Sequence, residues 1–363
     1  MNFEILTQNE AYPHYKKLYS EVKKNYLSFN GLDFFNLRLF KGDFLLLKNR
    51  FNIRVLALFN QNQIRILITH YEAKSLDAGI PHSLGAILVA NDISNEELSE
   101  FNTNLKKYAH GIQQKIIFPL NAHFNLGFSI PSQFTDPERI TFLTSAENQN
   151  IRRFISYSGA QYERKFYGMS YKLEKAPEYL SKIKSSIQNP PSGFHVEKLS
   201  LINYKKDIRD YNSIINESFK SHYAFFPLSF EEEWDLMKTA ALVINFNYFR
   251  FLSHKNKRIA VSMFLPDYNT ILKNGEDLNN LTKILFSKKK IKRVRGVNVA
   301  ILPEYQGKGL IKYVRNPNLI QMIEDGIEII ESSYIDQENI NSIENVKSTG
   351  ALPSHTFDLY SFN

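Results

Sequence analysis

Residues 293–314, RVRGVNVAILPEYQGKGLIKYV, hold side-chain types in an order suited to binding an anion. Val297, Val299 and Ile301 alternate with Asn298 and Ala300, which predicts a strand. Pro303 ends it, because proline cannot donate to a sheet ladder. Gln306-Gly307-Lys308-Gly309 follows, and then the helix-like apolar spacing of Leu310, Ile311 and Val314. The two glycines let the backbone turn tightly and approach a ligand. The free N–H groups of the first helical turn, with the helix dipole behind them, attract a phosphate there, and Lys308 adds a mobile positive charge. Two phosphate motifs fail at these positions. A Walker loop needs Ser or Thr after its lysine, where Gly309 stands, and the dinucleotide fingerprint needs a third glycine where Lys312 stands.

The motif that fits is Q/R-x-x-G-x-G/A, filled by Gln306, Gly307, Lys308, Gly309, Leu310 and Ile311. With its lead-in ILPEYQGKGL, the stretch resembles the GNAT superfamily of N-acetyltransferases. The resemblance implies that this loop cradles the pyrophosphate of an acyl-coenzyme A, such as acetyl-coenzyme A. It also implies that the strand before the loop pairs with the pantetheine arm, with Val299 and Ile301 offering backbone N–H groups to the thioester carbonyl. One departure is Ile311, where the signature has Gly or Ala, so a larger side chain stands close to the phosphate approach.

The same resemblance implies direct transfer: an amine attacks the thioester, a base takes the ammonium proton, and the protein orients and polarises. Glu331, in IIESS, is the first choice for the base, because a carboxyl inside an apolar strand has a raised pKa; the plainer reading is an outward-facing Glu on a half-exposed strand. Asp267, in LPDYN, is the second choice, set against plain turn chemistry at Pro266-Asp267. Asn339, in QEN, joins the expected donor site. Many GNAT proteins carry a Tyr seven residues after this Asn, and Val346 stands there instead. Tyr334 and Tyr360 are the substitutes considered for the proton donor. The implied function is an N-acyltransferase acting on a small-molecule or peptide amine. Two alternatives stay open: a protein that holds acyl-coenzyme A without turnover, and a transferase using a long acyl chain.

These residues need elements to position them, and the chain supplies the same order of elements twice. In the first half, FEIL is a strand, a helix runs around Tyr15, Leu18, Tyr19, Val22 and Tyr26, and residues 50–71 form a hairpin at NQNQ. GAILVAN is a strand, and a helix follows with Ser94 and Glu97 as a capping box. Residues 175–193 mix Pro, Ser and Gly and are expected to form a linker. After it come FHVEKLSL as a strand, helices over 203–219 and 229–243, a hairpin at KNKR, the QGKG corner, GIEIIESSYI, a helix from ENINSIENVKSTG, and a closing strand HTFDLYSF. The two halves also share letters: Asn150 aligns with Asn339, Gly159-Ala160 with Gly350-Ala351, and Phe166 with Phe357, which is a sign of internal duplication. The expected class is α/β (α+β), with two tandem GNAT-like domains at 1–174 and 194–363, each a mixed, largely antiparallel sheet flanked by helices. Segments such as HYAFFPLSFEEEW, FLPDYN and IESSYIDQEN extend the resemblance to a tandem-GNAT group over nearly the whole chain. In the first half, Asp92, Glu96 and Glu97 crowd the helix start that corresponds to the QGKG helix. They stabilise that helix and would repel a pyrophosphate, so the first half is expected to be structural.

Composition sets the remaining bounds. The 363 residues are 43% hydrophobic and 23% charged, as in ordinary globular proteins. No Cys occurs, which excludes thiol nucleophiles and cysteine-ligated metals. The nine His residues show no ligand spacing, so no metal is expected. No leader-like start and no 18-residue apolar run are present, and a cytoplasmic protein without membrane contact is expected. The net charge of +8 favours anionic partners. The run FSKKKIKRVR, with six Lys or Arg in ten residues, is either a solvated surface or a contact for the 3′-phosphate or an acidic acceptor. Nucleic acid is not expected, because no aromatic platform is interleaved with the run.

Overall fold

The computed structural model describes residues 1–23, 33–75, 77, 79–123, 126–127, 133–134, 149–173, 177–272, 287 and 290–363. The first half runs β1 (Asn2–Leu6), α1 (Gln8–Val22), α2 (Asp33–Lys41), α3 (Leu45–Arg50), β2 (Phe51–Asn60), β3 (Gln63–Ala73), β4 (His82–Val89), α4 (Asn95–Ile112), β5 (Ile116–Phe118), β6 (Gln133–Phe134), α5 (Gln149–Ser158) and β7 (Gln161–Lys172). After α6 (Pro177–Ile187), the second half repeats the order: β8 (Phe194–Lys198), α7 (Tyr204–Phe219), α8 (Phe230–Ala240), β9 (Phe249–His254), β10 (Lys257–Pro266), β11 (Arg293–Ile301), α9 (Ile311–Glu324), β12 (Ile329–Ser332), β13 (Ile335–Asp336), α10 (Ile340–Lys347) and β14 (Leu352–Phe362). Tyr26 lies outside the described residues.

Turn chemistry sets the two hairpins. Gln61-Asn62 and Lys255-Asn256 all have positive φ, between 48° and 66°, and each pair closes a two-residue turn whose twist matches the strands it joins. The stretch 175–193 is not a loose linker throughout. Pro177 opens α6 at the position where its missing N–H costs nothing, and Ile183 is buried with Leu319 and Met322 of α9.

All fourteen strands among the described residues join one sheet, in the order β1-β2-β3-β4-β5-β14-β7-β12-β11-β10-β9-β8, with β13 beside β7 and β6 beside β14. The two closing strands have changed places: β14, from the second half, lies next to β5 of the first, and β7 lies next to β12 of the second. Phe357 and Leu359 of β14 are 1% and 0% exposed, so the exchanged strand is core. Helix α8 ties the halves together through its acidic first turns: Arg50 Nε meets Glu232 at 2.8 Å and Arg38 meets Asp235 at 2.7 Å. Among the described residues no helix is long and apolar enough to cross a membrane.

Candidate active site

The site begins where two parallel strands separate. β11 and β12 pair from Arg293↔Ile329 to Gly296↔Ser332; β12 ends there and β11 continues to Ile301. On its other side β11 stays paired to β10, with an irregularity between Met263 and Phe264 that leaves Val297 without a register partner. The Leu302 N–H donates to Ile259 O at 2.9 Å, which sets the antiparallel alternation: Ala300 and Leu302 face β10, and Val299 and Ile301 turn their amides to the open side. The parting is the floor of a cleft of about 710 Å³.

The loop closes one end of this cleft. Gly307 and Gly309 have φ of 72° and 65°, and open space lies where a side chain would begin at either position. Gln306 Nε2 donates to Ile301 O at 3.2 Å, holding the loop against the strand end. Lys308 folds back, with Nζ donating to Glu304 O at 2.7 Å and lying 5.3 Å from the Tyr305 ring centroid. Leu310 anchors the loop in the core, and Ile311 is half-buried at the cleft wall. Thr7, Ser94 and Ser229 make complete capping boxes on α1, α4 and α8, whereas α9, like α3 and α7, starts with no side-chain cap. The Tyr313 N–H is taken by Leu310 O at 3.0 Å, and the Ile311 and Lys312 N–H groups are left without a capping side chain.

The opposite wall comes from α10. Asn339 lines the cleft but spends its side-chain oxygen on the Ser342 N–H at 3.1 Å, capping the helix. Val346 lines the same wall, and Tyr334 stands on the floor. Tyr360 is not among the cleft-lining residues; its place in β14 is opposite Phe118 and Tyr162. The rest of the lining comes from Ser218 and Phe219 at the end of α7, His222 and Tyr223 just after it, and Phe166 and Tyr171 on the exchanged β7. Burial holds the His222 imidazole below its usual pKa, against the opposing charge of Asp336.

Glu331 is fully buried at the cleft floor. Burial raises its pKa to about 7, against the opposing pull of the Ser354 hydroxyl, Arg293 and the Ser170 hydroxyl. Asp267 does not share this setting. It is fully buried, stands outside the cleft lining, pairs with Arg293 and accepts the Asn269 N–H at 3.1 Å, a turn contact. The basic run divides in a way its composition did not reveal. Lys290 and Lys292 are exposed, while Arg293 and Arg295 are 8% and 5% exposed and point inward; residues 286, 288 and 289 lie outside the described residues. Among the described residues, no group of three or more His, Cys, Asp or Glu is arranged to hold a metal ion.

In the first half, described residues bridge the corresponding corner. Asn121 Oδ1 takes the Ala86 N–H at 2.8 Å, bridging β4 to the segment after β5. Asn150 of α5 donates to Ala90 O and Asn91 O at 2.9 and 2.8 Å, and Phe154 packs on Phe101 and Phe118. At the start of α4, Asp92 and Glu97 are both bound by Arg65 at 2.8 Å.

No protein-family model matches the sequence, and no curated protein matches it. Among solved structures, a tandem GNAT protein from the clavulanic acid biosynthesis pathway aligns with TM-score 0.54 at 9% identity over 99% of this chain and 98% of its own. A GNAT-family acetyltransferase from Colwellia psychrerythraea aligns with TM-score 0.51 at 8% identity over the full length of both chains. A GCN5-related glucosamine N-acetyltransferase region of a fungal multi-domain enzyme reaches TM-score 0.53 at 9% identity, and 38% of that chain is covered. The fold is therefore that of the GNAT N-acyltransferases, in its tandem form.

Proposed function

We propose that the protein is an acyl-coenzyme A-dependent N-acyltransferase whose single site lies in the second half. The observation that carries this reading is the parting of β11 from β12, which turns the Val299 and Ile301 amides into a cleft closed by an uncapped helix start. The residues present suit the donor. Its pyrophosphate lies against the Gly307–Gly309 backbone and the first turn of α9, where N–H groups without a capping side chain and the helix dipole favour negative charge. Its pantetheine amides pair with the free edge of β11. In the reaction the amine nitrogen attacks the thioester carbonyl carbon, the C–N bond forms and the C–S bond breaks. The proton leaving the nitrogen passes to Glu331, and the thiolate takes one from solvent. A carboxyl with pKa near 7 is about half ionised at neutral pH, which matches a general base to its task.

A second reading, donor binding without turnover, is favoured by Val346, where the resemblance implies a Tyr. Thioester consumption with a panel of amines separates the two. In the enzyme, Glu331→Gln lowers the rate at limiting amine and leaves donor affinity nearly unchanged. Because the base must be ionised, the parent's rate rises with pH through about 7, and this limb disappears in Glu331→Gln. A variant profile identical to the parent's removes Glu331 from the mechanism. Donor bound with no thioester loss across the panel leaves the second reading.

A further inference from the structure

The exchanged strand β14 reaches the proposed base. Ser354 Oγ is hydrogen-bonded to Glu331 Oε1 and lies 3.0 Å from the Gly168 carbonyl oxygen of β7. His355 Nδ1 lies 3.0 Å from Ser354 Oγ and 3.3 Å from Glu331 Oε1. These three side chains are 3%, 4% and 0% exposed. The intervening strand β7 allows the contact because residue 168 is glycine: a Cβ there would stand 2.3 Å from His355 Nε2.

We propose that Ser354 and His355 are positioning residues that hold Glu331 in both of its protonation states; this rests on Glu331 being the base. A hydroxyl has one hydrogen and two lone pairs. When Glu331 is ionised, Ser354 donates to its carboxylate. When Glu331 has taken the amine proton, its O–H donates to Ser354 Oγ, and the Ser354 hydrogen turns to Gly168 O, already at hydrogen-bond distance. The proton is accepted with one rotation of a hydroxyl and no movement of the backbone. His355 stays neutral throughout: burial, with Arg295 and Arg293 nearby, pushes its pKa down to about 3. Its ring nitrogen therefore serves as a fixed hydrogen-bonding partner and not as a competing base.

The titratable and charged groups facing Glu331 among the described residues are Arg293 and Arg295 on β11, Asp267 after β10, and the neutral His355 on β14. β7 presents the Ser170 hydroxyl, with exposed Lys172 one pair further along the same face. Ser354→Ala leaves these charges in place and removes a charge-assisted hydrogen bond from the ionised carboxylate and a weaker one from the protonated acid. The Glu331 pKa then rises by the difference, and the acid limb of the rate profile moves up by about one pH unit. The rate at pH 7 falls about fivefold and recovers toward pH 9, with donor KM unchanged.

The experiment compares pH–rate profiles of the parent, Ser354→Ala and Ser354→Thr, which restores a hydroxyl, with circular dichroism on each. An upward-shifted limb in Ser354→Ala that moves back in Ser354→Thr supports the proposal. A limb unmoved in folded Ser354→Ala overturns it while leaving Glu331 as base. If Ser354→Ala does not fold, the test passes to Ser354→Cys, which keeps the size but replaces the hydroxyl by a weak donor, and an unmoved limb in folded Ser354→Cys overturns the proposal. A limb that persists in Glu331→Gln instead overturns the assignment of the base itself.

Discussion

A carboxylate placed at Gly309 would stand where the proposed function puts the donor pyrophosphate. Nothing occupies the space its Cβ would enter, and Asp is among the few side chains that tolerate a left-handed backbone, so Gly309→Asp should fold. Two like charges about 4 Å apart at an effective dielectric near 20 repel by roughly 4 kcal/mol, and half of that still weakens binding more than tenfold. Lys308→Ala should cost less than Gly309→Asp, because its ammonium is already engaged by Glu304 O and the Tyr305 ring. Its effect should shrink as salt rises. Calorimetric titration of coenzyme A into both variants, each checked by circular dichroism, measures this. Parent-like affinity in folded Gly309→Asp would remove the loop from the donor site.

At the scale of elements, the two halves answer the same strand–loop–helix problem in opposite ways. In the second half, α9 begins without a cap and α10 leaves the cleft open; in the first, Ser94 and Glu97 complete a capping box and α5 hydrogen-bonds to the end of β4. Under the proposed function, the expected outcome is one coenzyme A per chain. Titration should give a stoichiometry near one, abolished by Gly309→Asp. Two equivalent sites would contradict the closure described by Asn121 and Asn150.

For the whole molecule, the strand exchange couples the halves. Removing either closing strand would leave the other half's sheet incomplete, so the halves should unfold in one transition. Fluorescence of Trp234, the single tryptophan, and far-ultraviolet circular dichroism should report the same midpoint in urea. Separated midpoints would mean that the halves are independent. The clamp of Arg50 on Glu232 adds to this coupling. Burial alone would raise Glu232, but the Arg50 guanidinium and the Ser229 backbone outweigh it and hold the carboxyl below its usual 4.5. A depressed carboxylate stabilises the fold above the unfolded value, and that contribution is lost as pH falls through the folded one. Arg50→Ala should therefore destabilise the parent fold by about 2 kcal/mol at pH 7, and the gap between the two proteins should narrow toward pH 3.

What could be read from the chain was whatever is set by neighbours in sequence. The QGKG corner, both hairpin turns, the Ser94–Glu97 box and the repeated order of elements each depend on propensity and spacing within a few residues. The burial of Glu331 also followed from its apolar strand. What came only from the tertiary structure depends on which strand lies beside which. Nothing near residue 354 announces that β14 crosses into the other half and brings Ser354 and His355 to Glu331. Nor does the basic run announce that Arg293 and Arg295 turn inward while Lys290 and Lys292 remain outside. Asp267 and Glu331 look alike as carboxyls near strand ends, and only the tertiary structure shows that one pairs with Arg293 and the other meets a serine hydroxyl. Local patterns determine the elements, because helix and strand propensity act over a few residues. The pairing of distant strands depends on burying apolar faces that are far apart in sequence, so the site assembled across the exchange had no local signature.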